Sequence, residues 1–501
     1  MSNTERIAKN TLVLYVRMVI VLLITLYTSR ILLKALGVDD YGLYSVVGGV
    51  VGLLTFFNGT MSKATQRFIN VSMVKGDDCL HTIFSNSVTI HILIAVAFLI
   101  LGETLGLWYL NTQVEIPLER EFAANMVYQA SLISFAISIV TIPYNAAVIA
   151  YERMSFMAIV SIIDAVLKLG IAFILLVLSN DRLVLYGILL LFITIVNFIL
   201  YSAYCRKEFL ILEFKLSYDR ETFSQLFGYI GWTFVGQIAV VGCNQGNILL
   251  VNKFHALAAN AAMTIGNQVS NALNNLTTNF QTAFNPQITK SYAEGDSSYL
   301  ASLVYMTCKL SYCIMLVVSL PIMMNIDWVL DFWLDEVPDL SNTFAILFIV
   351  NAIINAISMP FNFTVLSSGK IHNFQIVTAV VFLSDLPLTY CLFTQGMPAT
   401  TVMFVKMFVI TVILFVRIFY ASKTVETIKT SEVCLKLLLP MLLIVGVILG
   451  LLFVLNDYAN STLLKVVNTV VLELICITMI WFVCFSKEER VSLHSLIKNR
   501  R

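Results

Sequence analysis

Charged residues are scarce in this sequence, because only 12% of its 501 residues are Asp, Glu, Lys or Arg while 59% are hydrophobic. A soluble globular domain has roughly twice that share of charged residues. The 31 basic and 30 acidic residues nearly cancel, so the chain lacks the basic surface that a nucleic-acid-binding protein needs. These shortages exclude a soluble protein and indicate that nucleic acid is not a partner.

Motifs for metals and nucleotides are also missing. The nine cysteines are scattered and include no C-x-x-C pair, which argues against a zinc site or a disulfide framework. No G-x-x-x-x-G-K-[ST] segment is present, so nothing indicates a nucleotide-driven machine. We therefore predict no cofactor and no metal site, and we expect any energy input to come from a gradient of H⁺ or Na⁺.

Long apolar runs fill most of the chain. About 20 apolar residues in a helix span the hydrocarbon core of a bilayer, and the sequence has about fourteen segments near that length. They are residues 11–33, 41–66, 82–110, 122–145, 156–178, 183–204, 223–251, 258–284, 300–324, 343–366, 374–393, 400–421, 435–455 and 463–485. The expected fold is an all-α polytopic membrane protein, and we do not expect it to be an enzyme.

The distribution of Lys and Arg predicts the orientation, because cytoplasmic loops are enriched in both residues. With the N-terminus inside, the outer side has only a few basic residues, namely Lys34, Arg120, Arg182, Lys253 and Lys465. The longest predicted outer loop, Asn325 to Asn342, has no Lys or Arg and carries the acids Asp327, Asp331, Asp335, Glu336 and Asp339. Both termini are therefore predicted to lie in the cytoplasm.

A weak internal repeat predicts the domain organisation. Asn58 and Thr60 in the second segment align with Asn275 and Thr277 in the eighth at one common offset. Such a repeat of helices in the same orientation occurs in some secondary transporters. We predict two pseudo-symmetric six-helix lobes plus two C-terminal helices, with an N-lobe at 1–210, a C-lobe at 211–425, and the last two helices with a cytoplasmic tail at 426–501.

The eighth predicted helix has a polar face. Its amide and hydroxyl side chains recur at steps of four and three residues, namely Asn267, Asn271, Asn274, Thr278, Gln281 and Asn285. Residues with this spacing share one face of a helix, and amides are costly against lipid tails. The favoured interpretation is a hydrated cavity, and the alternative is hydrogen bonding between packed helices. A Ser-rich face on the fourth helix leaves both interpretations open.

Several ionisable residues lie within the predicted spans, where each costs about 2.5–3.5 kcal/mol without a partner or water. Asp164 and Lys168 have the four-residue spacing of a helical ion pair, which is the leading interpretation for both. Lys309 is flanked at helical spacing by Tyr305 and Tyr312. A cation between aromatic rings suits a phosphate and a stacked sugar; the alternative is a pair with an acid on a neighbouring helix.

Asp385 is the favoured ion-coupling residue, with Asp164 as a second candidate. It lies near mid-membrane, two residues before Pro387. Neutralisation by a proton or Na⁺ would change the cost of burying it during a helix movement. A fixed pair with Lys406 on the next helix is the alternative. Lys406 shares a face with Arg417.

The ordered set of short segments resembles the bacterial polysaccharide flippases of the Wzx type, in the multidrug/oligosaccharidyl-lipid/polysaccharide (MOP) exporter superfamily. The segments that carry the resemblance are Arg30 to Gly37, Asp40-Tyr41-Gly42, Asn58 to Arg67, Ala150 to Met154, Pro286 with Lys290 to Asp296, and Ser368-Gly369-Lys370. Together they extend over most of the chain through the twelfth helix.

The resemblance implies two lobes around a cationic central cavity. Such a protein would move an undecaprenyl-pyrophosphate-linked oligosaccharide across the bacterial inner membrane by alternating access, for surface polysaccharide assembly. The basic residues of this cavity would correspond, by type and by helix, to Arg17, Arg30, Lys168, Lys309 and Lys406. The implied partners are the lipid-linked oligosaccharide, membrane lipid and polysaccharide-assembly proteins, with the chain itself monomeric.

Two other functions compete with this one. A multidrug or toxin exporter of the same superfamily would share the two lobes, but its cavity for small cations should be acidic, whereas deep basic residues are in excess here. A membrane-embedded lipid-linked sugar transferase or polymerase could use Asp39 and Asp40 as metal ligand or base. Such enzymes present large outer loops, and the Asp pair is better explained as a loop turn or helix cap.

Overall fold

The computed structural model describes residues 3–52, 56–113, 116–178, 181–209, 219–334, 337–456, 462–487 and 489–490. All regular secondary structure in these ranges is helical, because a backbone inside a bilayer must satisfy its N–H and C=O groups within the segment. The predicted fold class is confirmed. Asp335, Glu336 and the tail after residue 490 lie outside the described residues, as does the side chain of Asp39.

The α-helices of the described residues are as follows. The first seven are α1 (Asn3–Gly52), α2 (Phe56–Lys75), α3 (Asp77–Leu101), α4 (Leu107–Gln113), α5 (Glu121–Ala150), α6 (Met154–Val177) and α7 (Arg182–Glu208). The next are α8 (Arg220–Glu294), α9 (Ser297–Met324), α10 (Ile326–Trp333), α11 (Ser341–Ser368), α12 (His372–Leu383), α13 (Asp385–Thr394) and α14 (Thr401–Thr424). The last are α15 (Thr430–Val433), α16 (Leu439–Asn456) and α17 (Thr462–Met479).

In the described residues, 12 helical stretches are long and apolar enough to cross a membrane. This number roughly agrees with the predicted fourteen. The two segments that fall short are 41–66 and 258–284, the second and eighth of the sequence analysis. Residues 258–284 are too polar to be counted, whereas segment 41–66 includes residues 53–55, which lie outside the described part of the chain. These are also the two segments that the weak repeat aligns. We call the two parts of α8 its N-arm (Arg220–His255) and its C-arm (residues 259–294).

Two compact units make up the described chain, residues 8–234 and residues 1–7 with 235–501. In the first unit α5 is the central helix and packs against α2, α3, α6 and α7. Small residues make this packing close: a Cβ added to Gly187 of α7 would lie 3.3 Å from the Cα atom of Val127 in α5. The three-part division at 210 and 425 stays a prediction, because compactness alone does not define functional lobes.

In the second unit α11 is the central helix, and it packs against α9, α10 and α14. The C-arm of α8 also lies close to it, since a Cβ added to Gly266 would be 2.8 Å from the carbonyl carbon of Phe344. Residues on both sides of 256–258, such as Val251 and Ala262, contribute to one hydrophobic cluster with Phe344 and Met403. The backbone of the C-arm is thereby fixed against the core of its unit.

Helix ends and breaks occur where the sequence provides the required chemistry. Asp296 caps α9 by accepting a hydrogen bond from the backbone N–H of Tyr299 at 3.0 Å, and Asp219 does the same for Thr222 at 2.8 Å. The hydrogen bonds from Thr222 hold the pKa of the Asp219 carboxyl below its usual value. Gly37 kinks α1 with a φ of 80°, a conformation that favours glycine. Asp40 therefore lies in a helix that continues beyond this kink.

Residues that the sequence places at one common end of the first unit do lie together, and which side of the membrane this end faces stays a prediction. The guanidinium of Arg120 forms ion pairs with Asp40 and Asp181, and Arg182 donates a hydrogen bond to the carbonyl of Ala35 at 2.8 Å. The alternation of the predicted helices in this unit thus agrees with the structure. Asp40 lies within a helix and pairs with Arg120, so it is neither the loop turn nor the helix cap that the sequence predicted for it.

Candidate functional site

The C-arm of α8 has an exposed polar face. Asn267, Asn271 and Thr278 of the predicted stripe are exposed, together with Gln268 and Asn275. Their steps of four and three residues place them on one side of the helix. Hydrocarbon offers no partner for amide groups, so this face has to contact water, ligand or other protein.

The opposite side of the C-arm is buried in the core of the second unit. Leu273 packs with Met315 of α9 and Ile349 of α11. At one edge of the polar stripe, the half-buried Asn274 donates a hydrogen bond to the hydroxyl of Ser270 at 3.3 Å. The helix therefore has one face for packing and one amide-rich face that its own unit leaves uncovered.

Gln281 departs from the predicted stripe, because its side chain is buried. Its amide donates hydrogen bonds to the Oγ of Ser311 in α9 at 3.1 Å and to the carbonyl of Ala356 in α11 at 3.2 Å. Gln281 follows the half-buried Asn274 by seven residues, so both lie at the edge of the stripe that borders the core. At this position the alternative of hydrogen bonding between packed helices is correct.

Arg417 of α14 is a buried cation close to the same region of α11. Its guanidinium donates to the Oγ of Ser358 at 2.9 Å and approaches the Oδ1 of Asn355 at 3.4 Å. The residue is 8% exposed, and in the described part of the chain its Nε has no hydrogen-bond partner and no acid lies within ion-pair distance. Its positive charge is held by neutral groups alone.

From the sequence alone, Arg417 is only a residue on the same helix face as Lys406 and has no predicted role. The missing signal was on α11, where Asn351, Asn355 and Ser358 form a polar stripe at helical spacing. Once two helices are known to pack, a polar stripe on one and an isolated arginine on the other predict hydrogen bonds between them.

Asp385 lies in a buried polar cluster formed by the N-arm of α8, α13 and α14. Its carboxylate is 1% exposed and accepts hydrogen bonds from the Oγ1 of Thr389 at 3.0 Å and from the Sγ of Cys243 at 3.3 Å. Asn247, next to Cys243 on the same face, is also buried, and its Oδ1 has no partner among the described residues. The helix is interrupted at Ser384, directly before Asp385 and three residues before Pro387.

Lys406 belongs to the same cluster but does not form an ion pair with Asp385 in the described structure. Its ammonium donates to the Oδ1 of Asn244 at 2.8 Å and lies 5.3 Å from the ring centroid of Phe348. The predicted fixed pair is therefore replaced by a network in which amides and a thiol separate the two charges.

Lys309 of α9 forms an ion pair with Glu489, which follows the last membrane helix. The ammonium lies 2.9 and 2.8 Å from the two carboxylate oxygens. Tyr312 is also occupied, since its hydroxyl donates to the carbonyl of Met441 in α16 at 3.0 Å. The hydroxyl of Tyr305 is buried and has no partner among the described residues. Of the two predicted interpretations for Lys309, the pair with an acid is present.

The first unit contains the remaining predicted charges. The Asp164–Lys168 pair is present at 2.8 Å, and Asn197 of α7 donates to the same carboxylate at 2.7 Å. Arg17 of α1 is half-buried, and its Nε has no partner in the described residues. Arg30 is exposed. The structure thus brings together the acid and base of α6 and leaves Arg17 and Arg30 apart from that pair.

The Ser-rich face of α5, the fourth predicted helix, takes part in helix packing. Asn58 of α2 donates to the Oγ of Ser138 at 3.0 Å, and that hydroxyl donates to the carbonyl of Phe135 at 2.7 Å. Hydrogen bonds of this type hold membrane helices together at close approach. This face is a packing surface at Ser138.

No family model matches the sequence, and no curated protein matches it. Solved structures do resemble the fold. A MATE crystallised in its bent conformation superposes with a TM-score of 0.74 at 12% identity, over 86% of this chain and 97% of that one. The outward-facing conformation of a multidrug resistance MATE family transporter of the MOP superfamily gives 0.70 at 14% identity, over 85% and 96%.

A third similar structure is a MOP superfamily transporter from Pyrococcus furiosus, reported with a reversed polarity of its binding pocket that suggests a different function. It superposes with a TM-score of 0.70 at 12% identity, over 86% of this chain and 99% of that one. Identities this low establish the fold and nothing about the substrate. The chain is a multi-pass membrane protein with the fold of the MOP superfamily transporters.

Proposed function

We propose that this protein is a flippase that translocates an undecaprenyl-pyrophosphate-linked oligosaccharide across the bacterial inner membrane, for surface polysaccharide assembly. The observation that carries the proposal is the exposed amide face of the C-arm, at Asn267, Asn271 and Thr278. An uncharged face rich in hydrogen-bonding groups suits the hydroxyls of a sugar chain, because each amide both donates and accepts. A hydrophobic drug would gain little from it.

The charge balance of the spans supports an anionic substrate. Arg417 and Arg17 have no acid within ion-pair distance in the described residues, and the partner of Lys406 is an amide. Amide partners leave a positive charge uncompensated, so these cations attract a pyrophosphate and repel a cationic drug. The same reasoning makes the multidrug exporter the less suitable candidate.

The residues we propose to line the substrate pathway are Arg17, Arg30, Lys168, Asn267, Asn271, Asn274, Thr278, Tyr305, Lys309, Tyr312 and Lys406. Lys168 and Lys309 have acids beside them, so they would contribute as exchangeable ion pairs. We further propose both termini in the cytoplasm, a monomer, and membrane lipid and polysaccharide-assembly proteins as partners.

Alternating access in this proposal is coupled to H⁺ or Na⁺ at Asp385, with Asp164 as the second acid. Asp385 adjoins a break between α12 and α13, where a helix can bend. A ligand shifts a two-state equilibrium only by binding the two states differently. A carboxylate whose burial changes when the break moves has that property.

The experiment is a translocation assay with purified protein in vesicles that contain a lipid-linked oligosaccharide, read as the fraction accessible to an externally added lectin. The variant Asn271→Leu with Thr278→Val replaces two groups of the amide face by apolar groups of similar size. We expect at least a tenfold lower translocation rate, equivalent to about 1.4 kcal/mol, with unchanged protein abundance.

Asn252→Leu is the matched control, because Asn252 is an exposed amide on the N-arm of α8, outside the polar face. It should retain the translocation rate of the unmodified protein. Equal rates in the face variant and the control would refute a pathway along the C-arm. Accumulation of a cationic dye without any lipid-linked sugar movement would favour the exporter instead.

A further inference from the structure

The chain after α17 contacts α9 through Glu489. Ser486 and Glu489 form a reciprocal capping box: the N–H of Ser486 donates to the Glu489 carboxylate at 2.8 Å, and the N–H of Glu489 donates to the Ser486 hydroxyl at 3.2 Å. We call Ser486, Lys487, Glu489 and Arg490 the strap.

One carboxylate fixes the position of the strap. Glu489 caps its own helix and at the same time holds the ammonium of Lys309 through both oxygens. The Lys309 side chain is 12% exposed and that of Glu489 27%. Among the described residues of the strap, the other contact is made by the guanidinium of Arg490, which lies 5.4 Å from the ring centroid of Phe482. Phe482 is itself exposed. A segment with so few buried contacts opens easily once its ion pair is broken.

A second group at the same place lacks a partner. Tyr305 lies one helical turn before Lys309 on α9, and its buried hydroxyl has no hydrogen-bond partner in the described residues. Residues four apart lie on the same face of a helix. A phosphate group has more acceptor oxygens than a carboxylate and can accept from an ammonium and a hydroxyl together.

We propose that Lys309 and Tyr305 form a phosphate-binding point that Glu489 occupies as a built-in competitor, so that a phosphate-bearing lipid of net negative charge releases the strap. Two lipids have this chemistry, an anionic bilayer lipid and the pyrophosphate of a polyprenyl-linked sugar. Only the second source rests on the proposed function. In the absence of either lipid, the strap clamps α9 to the end of the last membrane helix.

Hydrogen exchange of the strap in lipid nanodiscs measures this directly. The backbone N–H of Arg490 donates to the carbonyl of Ser486 at 3.0 Å, so docking protects it. In phosphatidylcholine alone, Glu489→Gln should accelerate exchange of the strap at least tenfold, and Lys309→Glu combined with Glu489→Lys should restore protection. Unchanged exchange in Glu489→Gln would overturn the clamp.

Two variants of a matched ion pair serve as controls. Arg153 and Glu208 form a solvent-exposed pair at 3.9 Å in the first unit. Arg153→Gln and Glu208→Gln should leave the strap exchange as it is in the unmodified protein. Acceleration by these variants as well would mean that exchange reports overall charge, which would also overturn the proposal.

Two added lipids test whether Lys309 and Tyr305 bind phosphate. Nanodiscs doped with phosphatidylglycerol, or with polyprenyl pyrophosphate, should accelerate strap exchange in the unmodified protein and produce no further change in Glu489→Gln. Tyr305→Phe should reduce this lipid effect while leaving exchange in phosphatidylcholine unchanged. A response to only one lipid identifies the source of the phosphate, and no response to either refutes the binding point. None of these readouts depends on translocation, so they remain valid if the proposed function fails.

Discussion

Replacing Arg417 with Met should leave the protein as stable as before or more stable, although it removes a hydrogen bond of 2.9 Å to Ser358. A cation inside a membrane helix costs about 2.5–3.5 kcal/mol on insertion scales. A hydrogen bond to a charged group returns about 1.5–3 kcal/mol, and the 3.4 Å contact with Asn355 adds little at that length. The balance runs from about 0.5 kcal/mol against Met to about 2 kcal/mol in its favour.

Ser358→Ala provides the matched comparison, because it keeps the charge of Arg417 and removes its best partner. The guanidinium then remains buried with one hydrogen bond fewer, which should cost about 1.5–3 kcal/mol. The two variants are therefore expected to shift stability in opposite directions. Thermal unfolding of the purified proteins in detergent, followed by the loss of the monodisperse fraction, measures both shifts.

The reasoning fails if Arg417→Met unfolds at a lower temperature than Ser358→Ala, since the arginine would then be a net structural contributor. Translocation completes the test. Arg417→Met should lower the rate at least tenfold if the charge attracts an anion, and Arg417→Lys should retain part of it. A stabilised Met variant with full activity would remove Arg417 from any anion pathway.

Two further outcomes test the remaining charges. Lys309→Glu should abolish translocation at normal expression, whereas Lys309→Arg should retain a measurable part, and equal activity of the two would remove Lys309 from the pathway. Asp385→Asn should abolish ion-dependent translocation with the folded protein still abundant, because an amide oxygen can still accept from Thr389 or Cys243; translocation with an unchanged dependence on the ion would exclude Asp385 from coupling.

Much of the fold could be predicted from the sequence, because the bilayer imposes length and apolarity on nearly every helix. The eighth predicted segment, which is too polar to be counted as a span, shows where this rule ends. Residues 258–284 are identified as a helix by the periodicity of Asn267, Asn271 and Thr278, and hydropathy alone would miss them. The break before Asp385 could also be anticipated, since Pro387 lacks the N–H that an uninterrupted helix needs.

The site was less predictable, because a helical pattern gives the face of a residue but not its partner. The pair of Asp164 and Lys168 is local and could be predicted from a spacing of four. The partner of Lys309 is 180 positions away, beyond the last membrane helix, and no pattern in α9 indicates it. The hydrogen-bond partner of Arg417, Ser358, likewise lies on another helix and could not be predicted from α14 alone.

The partners of the buried cations divide them into two groups with different consequences. Lys309 has a carboxylate, so its charge becomes available only when Glu489 leaves, and the site is conditional. Arg417 has a hydroxyl and an amide as partners, which lower the cost of burial without cancelling the charge, whereas Lys406 shares its cluster with the carboxylate of Asp385. An anion would therefore meet a permanent attraction at Arg417 and a switchable one at Lys309. A permanent site that binds too tightly would retain its substrate, so neutral partners that share the charge favour release of the anion. The Lys309–Glu489 pair is the more suitable place for regulating transport.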